Sequence, residues 1–122
     1  MSRVIHFEVP IDNPGRAQKF YTDVFGWKIV KMDGPMDYWL VTSGPESQPG
    51  INGALTHRSQ LNSGTVNTLS VESIDKSMAD VTNAGGKILT PKSPIPNVGW
   101  FAYCADTEGN TFGIIQMDPN AK

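Results

Sequence analysis

The 122-residue sequence has little of what several large protein classes need. It holds a single cysteine, Cys104, which excludes an internal disulfide and a thiolate-only zinc site. Any metal is left to His, Asp and Glu, and only His6 and His57 supply imidazole. Basic residues are few: 10 Lys and Arg stand against 12 Asp and Glu, for a net charge of -2. That balance leaves no basic stripe for nucleic acid. No apolar run approaches the roughly 20 residues of a membrane-spanning helix. The opening Met1-Ser2-Arg3-Val4-Ile5-His6 lacks the apolar stretch and small-residue cleavage site of a secretory signal. The expectation is a soluble, cytoplasmic protein with neither nucleic-acid nor membrane partners.

What the sequence does have is an approximate internal repeat with an offset of about sixty residues. Hydrophobic residues make up 39% of the chain, enough for one core-bearing domain over residues 1–122. Ile5, Phe7, Val9 and Ile11 alternate with His6, Glu8 and Pro10, the period of a half-buried strand. Asn13 and Pro14 then fit the cap and first position of a helix that carries Ala17, Phe20, Tyr21 and Val24 and stops at Gly26. Strands are predicted at 28–30, 37–42 and around 52–56. The second half repeats the order, with a strand at 66–71, a helix entered near Ser73, a stop at Gly85-Gly86, and strands at 87–89, 100–105 and 111–116. The turn Asp106-Thr107-Glu108-Gly109-Asn110 joins the last two. Two tandem βαβββ modules result, one over about 1–60 and one over about 61–122. The fold class is α+β: a curled mixed sheet with a concave cup and the helices outside. Such a cup suits a small ligand.

Paired βαβββ modules, a histidine on the first strand, a Phe20-Tyr21 pair in the first helix and Asp106-x-x-Gly109 before the last strand carry a family resemblance. The chain resembles the glyoxalase/bleomycin-resistance/extradiol-dioxygenase (vicinal oxygen chelate, VOC) superfamily, most specifically over Arg16-Ala17-Gln18-Lys19-Phe20-Tyr21-Thr22-Asp23-Val24-Phe25-Gly26. The resemblance implies a divalent metal held by four side chains, one from the first and one from the last strand of each module. In glyoxalase-type members that metal is a Lewis acid on neighbouring substrate oxygens. Here His6 falls on the first ligand position, while Gly53, Val66 and Gly113 fall on the other three and offer no donor atom. The chain therefore resembles a metal-ligand-depleted member, expected to use no cofactor. A substitute site of His6, Glu8 and His57 is the one remaining route to metal binding.

The residues expected to line the cup are His6, Glu8, Trp39, Gly53, Thr68, Ser70, Trp100 and Gly113. His6 and Glu8 serve as ligand hydrogen-bonding groups or an acid–base pair, or else satisfy each other. Gly53 and Gly113 leave the floor open to close backbone approach, or mark a bulge. Trp39 and Trp100 form aromatic walls, with core packing or a dimer contact as the alternative. Alternation puts Phe101 and Tyr103 on one face of their strand and Trp100, Ala102 and Cys104 on the other, without saying which faces the cup. Cys104 reads as buried packing, and Pro91, Pro94 and Pro96 as a stiff rim loop. The expected function is metal-independent binding of a small organic molecule, within a homodimer. The alternatives are a glyoxalase-like lyase or isomerase, using a substitute metal or His6 and Glu8 as acid and base, and a mainly dimerising interaction module.

Overall fold

The computed structural model describes residues 1–34 and 36–122. They form two compact units, one of His6–Thr65 and one of Val66–Lys122 joined by Met1–Ile5. The boundary thus falls a few residues beyond the repeat midpoint, and the first five residues go with the second unit.

In the first unit the chain runs β1 (Val4–Ile11, whose first two residues belong to the other unit), α1 (Pro14–Phe25), β2 (Lys28–Lys31), β3 (Tyr38–Thr42) and β4 (Gly53–His57). The helix starts where expected. The Asn13 side chain accepts from the Arg16 N–H at 3.0 Å, and Pro14 needs no partner in the first turn. It stops at Gly26, whose φ of 71° is a left-handed conformation that a side chain would disfavour. The strands lie in the order β2-β3-β4-β1, antiparallel except for the parallel pair of β1 and β4. Ile11, Trp39, Val41 and Leu55 are buried on one face of this sheet, against Ala17 and Tyr21 of α1.

The second unit contains β5 (Val66–Ser70), α2 (Ile74–Asn83), β6 (Lys87–Ile88), β7 (Ser93–Ile95), β8 (Gly99–Ala105) and β9 (Thr111–Met117). Ser73 caps α2 by accepting from the Lys76 N–H at 3.2 Å. The strand order is β5-β9-β8-β6, with β5 and β9 parallel and β7 also paired to β8. Ile74, Ala102, Cys104 and Ile114 form the buried core, packed with Met78 and Val81 of α2. The proline segment is not simply a loop. Ser93, Pro94 and Ile95 pair with Phe101, Trp100 and Gly99, and a proline is accommodated because this short strand lies outside the main strand order. In the turn before β9, the Asp106 side chain accepts from the Glu108 and Asn110 N–H groups at 2.8 and 2.9 Å, and Gly109 takes a φ of 83°.

The architecture is α+β, in two βαβββ modules of which the second has gained the extra strand β7. No helix among the described residues is long and apolar enough to cross a membrane.

Candidate functional site

In a strand, successive side chains point to opposite faces, so the residues packed on α1 fix the face of all the others. Phe7, Val9, Trp39, Val41 and Leu55 point toward α1. His6, Glu8, Tyr38, Leu40, Ala54 and Thr56 therefore share the other face. Register places Ala54 between Glu8 and Leu40, and Thr56 between Pro10 and Tyr38. Because Ala54 is small, the Tyr38 side chain can pass over β4 and reach β1. Its hydroxyl lies 2.7 Å from His6 Nε2, with the two rings 7° from parallel. Glu8 is 4% exposed on the same face. Burial, with the Glu8 carboxylate adding to it, pushes the Tyr38 phenol well above its ordinary range. The phenol is thus a fixed neutral donor or acceptor.

Asn62 completes this unit's polar network. It donates from Nδ2 to Thr56 Oγ1 at 2.7 Å and to the His57 carbonyl at 3.0 Å, and accepts from Ser59 Oγ at 2.6 Å. Tyr38, Thr56 and Asn62 were not singled out in the sequence. The signal for Tyr38 was its phase: it alternates with Trp39 and Val41 and shares its parity with Leu40 and Thr42, so it faces away from the apolar Trp39 and Val41 pair.

In the second unit, Leu69, Trp100, Ala102, Cys104, Phe112 and Ile114 pack on the α2 side. Val66, Thr68, Ser70, Phe101, Tyr103 and Gly113 consequently share the opposite face. Thr68 pairs with Gly113, which pairs in turn with Tyr103. The Phe101 and Tyr103 rings meet edge to face at 4.8 Å.

His6, Glu8, Thr68, Ser70 and Gly113 thus lie on the helix-free faces of their units. Trp39, Trp100 and Gly53 do not. Trp39 is 6% exposed in the first core, and Trp100 packs in the second, where its indole N–H donates to Asp118 at 3.1 Å. Neither lines the helix-free face of its unit, because alternation fixes both to the helix side. Gly53 shares the helix side with Phe7 and Val41, its register partners. A one-residue shift in phase changes the face of a strand residue, and the loop before β4 gave the sequence no anchor for that phase. The open floor expected at Gly113 is also filled. A Cβ there would stand 2.6 Å from Phe101 Cζ, so the Phe101 ring rests directly on the glycine.

The substitute metal site is not assembled. His57 has the parity of Gly53 and Leu55, away from His6 and Glu8. Its Nε2 lies 3.0 Å from Asp37 Oδ2, and its ring meets Trp39 edge-on at 5.2 Å. Among the described residues no three His, Cys, Asp or Glu come together in a group that could hold a metal ion. The four positions implied by the family offer His6, Val66 and two glycines, and Ala54, next to Gly53 in sequence but on the helix-free face, adds no donor. The residues present do not fit a resident divalent metal. Cys104 is fully buried, which pushes its thiol pKa up and makes it a poor nucleophile.

Burial lowers the His6 pKa below its ordinary 6.5. The unfolded chain then binds a proton more readily than the folded one. The resulting stability is present above pH 6.5 and is lost as the pH falls through the folded-state pKa. His6→Gln is expected to flatten this acid-side decline in urea-unfolding midpoints measured from pH 7.5 down to about 5. An unchanged slope would show that another group carries it.

Residues 3–44 match the family model described as bleomycin resistance protein-like N-terminal. A glyoxylase-like domain-containing protein of Didymella fabae is 31% identical over 112 residues, which cover 88% of this chain and 88% of that protein. A lactoylglutathione lyase of Arabidopsis thaliana is 27% identical over 128 aligned positions, covering 96% of this chain but 45% of the relative, so the chain spans under half of that enzyme. Among solved structures, a Streptomyces coelicolor methylmalonyl-CoA epimerase variant in complex with 2-nitronate-propionyl-CoA superposes with a TM-score of 0.69 at 11% identity, over 98% of this chain and 97% of that one. That likeness shows a common fold. With a relative above 30% identity matched over most of both lengths, the chain belongs to the glyoxalase/bleomycin-resistance, or vicinal oxygen chelate, superfamily.

Proposed function

We propose that this protein is a metal-independent binding domain for a small organic molecule, with His6, Glu8, Tyr38 and Thr56 supplying polar contacts on the helix-free face of the first unit. The observation that carries the reading is the His6–Tyr38 pair at 2.7 Å, set beside the buried Glu8 on a sheet face that no helix of its unit covers. A small number of oriented polar groups on a largely apolar scaffold is the usual composition of a ligand site. Among the described residues the family's metal chemistry finds no donor set, which favours direct recognition by side chains. The Arabidopsis relative names a lyase activity, but under half of that enzyme is matched. An acid–base reaction at His6 is the second reading, favoured by the hydrogen bond between its imidazole and the Tyr38 hydroxyl, with burial keeping the imidazole in its neutral form.

Metal analysis of the protein as purified, combined with thermal shift against a panel of small organic compounds in the presence of chelator, tests the reading. Ligands are expected to raise Tm by about 10 °C at 100 times their Kd, equivalent to about 2.7 kcal/mol. His6→Ala should reduce that shift. About one equivalent of divalent metal, removed by chelation together with a catalytic activity, would overturn it.

A further inference from the structure

We propose that Thr68, Gly113 and Phe101 form a distinct binding subsite on the helix-free face of the second unit, which takes a planar, uncharged ring bearing a carbonyl or hydroxyl group when the Phe101 ring turns aside. The inference rests on the small-molecule-binding reading and assigns a ligand class to a different set of residues. Thr68 is 3% exposed, and its hydroxyl has no hydrogen-bond partner among the described residues. A buried hydroxyl without a partner is disfavoured, and native structures keep few of them. This one is aimed at Gly113: a Cβ built on that glycine would stand 3.0 Å from Thr68 Oγ1.

The same Cβ would stand 2.6 and 2.7 Å from Phe101 Cζ and Cε2. The phenyl ring therefore occupies a slot that exists because residue 113 has no side chain. Phe101 is only partly buried, and rotation about its χ1 bond can clear the slot. A ligand ring that replaces the phenyl inherits a flat backbone floor at Gly113 and a hydroxyl below. Phe101 and Tyr103, already in edge-to-face contact, supply aromatic neighbours. The ligand is uncharged because Val66, Thr68, Phe101 and Ile115 on this face provide no counter-charge, and an unpaired ion would be costly to bury. It carries a carbonyl or hydroxyl because that group partners the Thr68 hydroxyl.

Benzamide is a suitable probe, titrated into the isotopically labelled full chain and followed by amide chemical shifts. Shifts are expected to centre on Thr68, Phe101 and Gly113. Thr68→Val, which keeps the side-chain shape and removes the unpartnered hydroxyl, should weaken benzamide roughly five- to tenfold without lowering Tm. Thr68→Ser should retain binding. Gly113→Ala, whose methyl enters the slot, should block it independently of any change at Thr68. Equal benzamide affinity in Thr68→Val and the parent protein would overturn the subsite. Shifts confined to His6, Tyr38 and Thr56 would also overturn it while leaving the broader ligand-binding reading in place. Silence throughout a wider panel of organic compounds would remove both.

Discussion

Gly53→Ala is expected to destabilise the protein by about 3 kcal/mol or more, while Gly113→Ala costs about 1 kcal/mol, although both replace a strand glycine with the same methyl group. The difference lies in what the methyl meets. At Gly53 it would stand 2.3 Å from the Phe7 carbonyl oxygen and 2.5 Å from the Phe7 ring. That oxygen belongs to β1, whose position is fixed by parallel pairing with β4, so relief requires the two strands to separate. At Gly113 the nearest atoms are the far end of the Phe101 ring and the Thr68 hydroxyl. A ring can turn away at small cost where a backbone cannot. Urea unfolding of both variants measures the gap directly, and equal costs would show that β1 and β4 are less closely held than their register implies.

Those glycines also show how far the sequence could be read. The repeat, both helices with their Asn13 and Ser73 caps, and the approximate place of nearly every strand were legible because periodicity and capping are local properties. The strand β7 was missed because prolines weigh against a strand, and only the partner β8 makes Ser93–Ile95 one. The face of β4 depended on its phase. The strand face of His6 and Glu8 was legible because β1 alternates over eight residues, whereas β4 follows a loop of Gly, Pro and Ser that carries no phase forward. Reading Gly53 for Ala54 on the helix-free face is a one-residue error with an all-or-none consequence. Size misled in the case of Trp39 and Trp100. Large aromatic residues suit a ligand wall and a core equally well, and only their partners, Leu55 in one case and Ile74 in the other, decide. The Phe101 ring over Gly113 is a tertiary fact with no sequence signature, since it joins two strands through side-chain packing.

Asn62 was invisible for a related reason: within Ser59-Gln60-Leu61-Asn62 it reads as an ordinary loop residue, yet it is 6% exposed and makes three hydrogen bonds. Asn62→Ala is expected to cost roughly 2–4 kcal/mol, because it leaves the His57 carbonyl, the Thr56 hydroxyl and the Ser59 hydroxyl to find new partners at a partly dry site. Asn62→Asp gives a sharper result. The carboxyl is nearly isosteric with the amide, but when ionised it can only accept, and it would face the Thr56 oxygen and the His57 carbonyl where Nδ2 now donates. Burial against those acceptors would raise its folded-state pKa above the unfolded value of about 3.9. The stability associated with its protonated form is then present below that unfolded value and is lost as the pH rises through the folded-state pKa. The Asn62→Asp variant should therefore lie closest to the parent near pH 4 and fall furthest behind at neutral pH, whereas the Asn62→Ala deficit should vary little with pH. Equal pH dependence in the two variants would place residue 62 outside the Thr56 network and would detach Thr56 from any fixed geometry beside Tyr38.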